Sequence, residues 1–412
     1  MMGTMESTIE IDAPSRHRSK AGSKSWPAGR RPRIAIVTSA LPPQLDGIGD
    51  HSSRLASVMS VYADVTIYTA EGFVPDALRG VQVVQSFDPA SWPTVMNLID
   101  AIVANPPDWL IVQYNPFCYG RRGFNPYLAR ALRQLRRACP RMRLAVMIHE
   151  MYMPANSPAN TLMSMYQRWQ FAAITSIADL SLFSTGPWHD EYRRRHPTRR
   201  SLHMPVGSNL DLVSADRQDV RVELGLPPDA IVLGTFGGHH PSRLLDRLAE
   251  VGHGLRAGGY DVRILAIGPA GPVVRAKMSN LPIIDLGSLA PDSVSRYFRA
   301  IDIYCCPFFD GVSTRRGSFF AGMQHGLAVV TTDGYHTDDG LRRLHGDAIL
   351  AVPSENPAAY MDAVMRLARD PVLRNAMGER ARKGFESSYA LPVLAKKWRD
   401  ALELTADEAQ NQ

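Results

Sequence analysis

The chain has 412 residues, 45% hydrophobic and 21% charged, with a formal net charge of +6. That length exceeds what one hydrophobic core usually supports, so two domains and a cleft between them are expected, and the composition sits in the ordinary globular range, so most of the chain should fold. No run of about 18 apolar residues is present to span a bilayer, and Cys118, Cys139, Cys305 and Cys306 lack CxxC spacing, which excludes a disulfide framework and fits a reducing compartment.

Residues 1–30 mix Ser, Arg, Lys, Pro and Gly without apolar periodicity and are expected to form a disordered tail. This stretch also lacks the apolar core of a signal peptide. From Arg33, short apolar runs alternate with longer amphipathic stretches: RIAIVTS, DVTIY, VQVV, WLIVQY, RLAVMI and LSLFS are the expected strands. Between the first two, Leu55, Val58, Met59 and Tyr62 fall at helical spacing and predict one inward face. The segment LHMPVGSNLDLVSADRQDV reads as a connector. A second series follows, IVLGTF, VRILAI, IIDL, IYCC, AVVTT and AILA, and then three helices over 356–369, 371–386 and 391–404. Strand and helix alternation of this kind predicts two consecutive parallel sheets covered on both faces, with ligands at the carboxyl ends of the strands.

Arginine is concentrated in the first half: Arg121 and Arg122; Arg133, Arg136, Arg137, Arg141 and Arg143; then Arg193, Arg194 and Arg195. Such clusters read as a solvated basic face or as contacts to anionic lipid headgroups. Nucleic acid is disfavoured, since zinc-finger spacing and an aromatic RNA-binding signature are both missing.

Four places carry groups suited to chemistry. Gly47 and Gly49 follow the first strand and precede a helix, where backbone amides favour an anion. His149 and Glu150 end the fifth strand, a position facing the crevice. Gly237, Gly238, His239, His240 and Arg243 follow the first strand of the second series and suggest a second anion cradle. The two histidines have no third ligand at a spacing suited to zinc. Asp310 then leads into Ser313, Thr314, Arg315, Arg316, Gly317 and Ser318, which group cations, hydroxyls and open amides at a helix start, as a diphosphate requires. The alternative for that loop is an exposed basic turn with a Ser cap.

Taken together, LPPQLDGIGDHSSRLA, VMIHE, FFAGMQHGLAVVTT and the closing AVPSENPAAYMDAVMRLARDPVLRNAMGERARKGF resemble glycosyltransferase family 4, over roughly residues 33–404. The resemblance implies an α/β GT-B fold, two Rossmann-like doubly wound domains facing an interdomain cleft. Residues 31–207 would form the acceptor domain, 208–221 a linker, 222–388 the nucleotide-sugar donor domain, and 389–412 a C-terminal helix packing back towards the first domain. It also implies retaining transfer of a sugar, of hexosyl type, from a nucleotide-diphosphate sugar to a hydroxyl acceptor, in polysaccharide or glycolipid synthesis. The expected partners are the nucleotide-sugar donor as co-substrate, a glycan or lipid-linked sugar acceptor and an anionic membrane surface, with no nucleic acid and no separate cofactor. A cytoplasmic location at the inner membrane face follows. His149 would be catalytic; Gly49, Gly237, Gly238, Arg243 and Ser313 to Ser318 would hold the donor and its diphosphate; Asp310, Glu150 and Gly47 would touch substrate. No Asp-x-Asp pair is suited to a divalent ion, so metal independence is expected.

The family's two glutamates, separated by seven positions, fall here on Ser313 and Ala321. The arginine of its diphosphate pair falls on Gly238, and Arg243 lies one residue from the lysine position. Phosphate contact is therefore expected to have moved to Arg243, Arg315 and Arg316. These losses keep open the alternative of a degenerate GT-B protein that binds a ligand or partner without turnover; a sugar-nucleotide epimerase is a third option.

Overall fold

A computed structural model of the chain describes residues 30–278 and 280–404. The tail expected over residues 1–30 lies outside the described residues apart from Arg30. The first domain is a parallel sheet of seven strands, β1 (Arg33–Val37), β2 (Asp64–Ala70), β3 (Val81–Phe87), β4 (Trp109–Tyr114), β5 (Arg143–Ile148), β6 (Leu180–Phe183) and β7 (Ser201–His203), in the order β3-β2-β1-β4-β5-β6-β7. The second is a parallel sheet of six, β8 (Ile231–Phe236), β9 (Val262–Ile267), β10 (Ile283–Asp285), β11 (Ile303–Cys306), β12 (Ala328–Asp333) and β13 (Ile349–Pro353), in the order β10-β9-β8-β11-β12-β13. Both orders reverse direction beside the first strand, and this switch point opens a crevice at the carboxyl ends.

The apolar runs become strands because helices cover both faces of each sheet: every residue of β4 is buried, as are all but the first of β5. In the second domain the two faces of the sheet build separate cores, one around Phe298, Tyr304 and Phe319, the other around Leu248, Ile264 and Val364. Several helices begin with a capping side chain followed by proline: Asn125 before Pro126, Ser157 before Pro158, Asn356 before Pro357 and Asp370 before Pro371, each side chain accepting a bond from a first-turn amide. Proline at that place has no amide to satisfy and its φ is already helical.

Three local expectations are corrected. β7 is a real edge strand paired with β6, although TRRSLHMP has no apolar run to announce it. The segment expected as a linker over 208–221 ends in a helix, Arg217–Glu223, capped by Asp216. The helix between β1 and β2 runs Gly47–Met59, so Tyr62 lies beyond it, 40% exposed, with the Arg399 guanidinium over its ring.

The chain crosses between the domains near Gly207, and its last helix, Leu391–Ala401, returns to the first domain. There the Trp109 indole Nε1 donates to the Leu402 carbonyl at 2.9 Å, and Trp398 is 1% exposed. Gly207 adopts φ +71, and a Cβ on it would lie 2.8 Å from the Tyr389 carbonyl oxygen, so the two passages of the chain touch where only glycine fits. We expect Trp398→Ala to cost about 3–5 kcal/mol through loss of a buried aromatic. Urea unfolding would read this as a lowered midpoint. An unchanged midpoint would mean that the last helix is not part of the cooperative fold.

Candidate active site

The second domain builds an anion cradle. β8 ends at Phe236 and the chain turns at Gly237, whose φ of +112 is reserved for glycine. A Cβ placed there would lie 3.7 Å from both Arg243 Nη1 and Ser318 Cβ, which brings loop, cation and helix start together. Arg243 Nη1 donates to the Gly238 carbonyl at 3.0 Å and Nη2 to Thr235 Oγ1. Among the described residues no carboxylate forms an ion pair with Arg243, and burial lowers its pKa because the charge is desolvated without a counter-ion. Beside it starts the helix Gly317–Gln324, whose first turn receives no side-chain cap. A half-buried cation without a counter-ion and uncapped helix amides are the two elements that bind phosphate oxygens.

Facing this cradle is a cluster of charges between the domains. Asp310, with its side chain only 3% exposed, accepts from Arg315 Nη2 at 2.8 Å and from Arg316 Nη2 at 2.9 Å. Arg315 also pairs with Glu150 at the end of β5, and its guanidinium lies 4.8 Å from the Trp188 ring centroid. Trp188 Nε1 in turn approaches His336 Nε2 at 3.3 Å. Burial opposes ionisation of Asp310, but His336, 3.5 Å away, and the two guanidiniums hold its carboxyl down at about 2. Burial and the adjacent Arg315 pull Arg316 down to about 10. His240 joins the two clusters: burial, then Arg316 and Arg315, push its imidazole down to about 4.

His149 closes the far side. It is 8% exposed, its Nε2 lies 2.7 Å from Gln113 Oε1, and its ring meets His51 edge-on at 5.4 Å. Burial first, and His51 second, hold the imidazole well below its ordinary value, so it is neutral. The imidazole, expected to face the crevice, is thus a largely buried ring whose Nε2 is fixed by Gln113.

The other expected residues divide. Gly238 borders open space, with Gly237 and Ser318 at the cradle. Gly317 packs towards the Gly207 carbonyl, 3.4 Å from where its Cβ would be. Gly49 is a packing glycine: a Cβ would lie 2.7 Å from the Ala40 carbonyl oxygen, and its amide and that of Ile48 bond to the Asp46 carboxylate. The first-domain helix start is therefore filled by its own cap, and Gly47 lies in open space beside it. Thr314 is 1% exposed and joins the domains, donating Oγ1 to the Ser184 carbonyl at 2.7 Å and its amide to Asp338 at 2.7 Å. Ser313 is fully buried with its Oγ unpartnered, and Ala321 is fully buried in the core. Arg315 and Arg316, expected to contact the diphosphate, converge on one carboxylate, Asp310. Among the described residues no three of His, Cys, Asp or Glu converge to hold a metal, and His239 and His240 gain no third ligand. Sequence reasoning missed Gln113, Trp188, His336 and Asp338. Only Gln113 gave a signal, a lone amide inside the apolar run WLIVQY.

Residues 228–370 match the family model of glycosyl transferases group 1. No curated protein matches. Among solved structures, sucrose-phosphate synthase from Thermosynechococcus elongatus superposes with a TM-score of 0.71 at 16% identity, over 90% of this chain and 98% of that one. WaaG, a glycosyltransferase involved in lipopolysaccharide biosynthesis, gives 0.66 at 16% over 90% and 99%. Anabaena HepE in complex with UDP and glucose gives 0.65 at 14% over 91% and 100%. The fold is GT-B, and the second domain carries the sequence pattern of the group 1 glycosyltransferases.

Asp310→Asn leaves two largely buried guanidiniums without their shared carboxylate. The expected cost is about 3 kcal/mol in urea unfolding, with Asp310→Asn and Arg316→Ala strongly non-additive. Additive effects below about 0.5 kcal/mol would show that solvent screens the cluster.

Proposed function

We propose that the chain is a retaining, metal-independent glycosyltransferase that moves a hexosyl group from a nucleoside-diphosphate sugar to a hydroxyl of a glycan or lipid-linked acceptor. The observation that carries this is Arg243, a half-buried cation without a carboxylate partner among the described residues, set beside Gly237 and an uncapped helix start. The group 1 match over the same domain supports it, as do the structures of HepE with UDP and glucose and of the pneumococcal O-GlcNAc transferase GtfA with UDP and GlcNAc.

In such a transfer the bond from the sugar's anomeric carbon to the phosphate oxygen breaks, and its electron pair leaves with the diphosphate. The acceptor oxygen bonds that carbon and gives its proton to the departing phosphate. Negative charge grows at the phosphate, so Arg243 and the first amides of the Gly317–Gln324 helix stabilise the transition state more than the ground state. His149, neutral and held by Gln113, orients the sugar through its ring and presents its backbone carbonyl to the developing positive charge.

A second reading, a GT-B protein that binds its ligand without turnover, is favoured by Ala321 and Ser313, which bury an apolar group and a hydroxyl at the family's two carboxylate positions. Incubation with a panel of nucleotide sugars in excess chelator separates the two. Slow donor hydrolysis supports the transferase, and thermal stabilisation by nucleoside diphosphates without hydrolysis supports the binder. Hydrolysis that appears only with magnesium or manganese contradicts metal independence.

Arg243→Ala is expected to weaken nucleoside diphosphate binding about 10- to 100-fold, the value of one charge-assisted contact, measured by calorimetry. An unchanged affinity would move the phosphate elsewhere. His149→Ala is expected to lower turnover by about 100-fold with little change in that affinity. Because its pKa is depressed, His149 stays neutral as pH falls through its ordinary value, so the wild-type rate should show no histidine limb near about 6.5. A limb there that vanishes in His149→Ala would contradict the buried, neutral assignment.

A further inference from the structure

The helix Pro158–Thr175 leaves an apolar stripe uncovered. Leu162, Met165 and Trp169 recur at helical spacing and are 66%, 64% and 55% exposed. A tryptophan, a leucine and a methionine at that exposure on one helix face are too contiguous for chance surface residues.

The surroundings of the stripe are basic. Between Arg121 and Ala178 the sequence holds nine arginines and one acid, Glu150, and two of the nine are neutralised from outside that stretch, Arg136 by Asp179 and Arg143 by Glu403. Glu150 pairs with Arg315 across the cleft. On the neighbouring helix Pro126–Ala138, Arg130, Arg133 and Arg137 share one exposed face, and among the described residues none of them forms an ion pair with a carboxylate. Both helices cover the same side of the sheet, since they connect β4 to β5 and β5 to β6 in one direction by right-handed crossovers. They touch: the Asn125 amide donates to Gln170 Oε1 at 2.8 Å, and the loop of Arg121 and Arg122 is held to the apolar helix through Tyr166, whose hydroxyl donates to the Arg122 carbonyl at 2.6 Å.

We infer that this face docks on an anionic bilayer surface, with Leu162, Met165 and Trp169 in the headgroup region and the arginines on lipid phosphates. Charge complementarity selects this occupant: a second copy of the chain would bring the same arginines against themselves, whereas an anionic headgroup layer neutralises them. Arginine suits the site because its stem covers apolar surface while its fork binds phosphate. The apolar helix starts just after the loop that leaves β5, whose end carries His149 and Glu150, so docking holds the mouth of the cleft near the lipid surface. Resting on the transferase reading, this narrows the acceptor to one anchored in, or carried by, the membrane.

The test is sedimentation of the full chain with phosphatidylcholine vesicles, with and without phosphatidylglycerol. Binding is expected to be at least about tenfold tighter to the anionic vesicles and to weaken as salt rises. The variant L162S/M165S/W169S should lose about tenfold and R130E/R133E/R137E about a hundredfold, with thermal unfolding and nucleoside diphosphate affinity unchanged. Equal binding to both vesicle types, wild-type binding by both variants, or an apolar variant that changes only self-association in light scattering would overturn the proposal. Vesicle binding without donor hydrolysis would sink the transferase reading alone; donor hydrolysis without vesicle binding would sink the docking alone.

Discussion

The site is organised by Asp310. Two neighbouring guanidiniums would repel each other and resist burial, yet Arg315 and Arg316 lie side by side with only 10% of each side chain exposed. One carboxylate at 2.8 and 2.9 Å makes that possible, and the ionised state it needs is maintained by His336 and the same two cations. Much of the interdomain contact follows. With Asp310 holding Arg315 from one side, the other edge of its guanidinium reaches Glu150, and its face packs on Trp188. Trp188 then meets His336, which returns to Asp310, so the ring of contacts closes across two domains.

This arrangement separates two tasks that a diphosphate site usually merges. Arg315 and Arg316 already have an anion, so they fix the geometry of the cleft. Arg243 has only a carbonyl and a hydroxyl, and it keeps its charge available beside the start of the Gly317–Gln324 helix. A half-buried cation in that state lacks an anion to offset its lost hydration, which makes the cradle the place where an incoming phosphate gains most.

The sheets were legible because their runs are apolar on both faces: RIAIV, WLIVQY and RLAVMI can only be buried strands at that length. β7 was hidden because an edge strand of three residues needs no apolar pattern, only a neighbour to pair with. The site was legible in outline and not in detail. Gly237, Arg243 and Ser318 were found because glycine, cation and helix start recur in one local pattern. Asp46 was overlooked as the residue that fills the first-domain helix start, since a cap and an anion site look alike in sequence. Arg315 and Arg316 were assigned to a ligand because the carboxylates that hold them are five, six and 165 residues away, and side-chain direction is decided by tertiary partners that spacing does not reveal.

The contact between Gly207 and Tyr389 bears on how the cleft can move. The chain passes from the first domain to the second at Gly207 and comes back just beyond Tyr389, and the two passages are in van der Waals contact. Two covalent tethers that touch act as a single pivot, unlike a lone linker, which would let the domains swivel and slide. The remaining freedom is a swing about that pivot, like the covers of a book about its spine, so one opening angle describes the approach of the Arg243 cradle to His149.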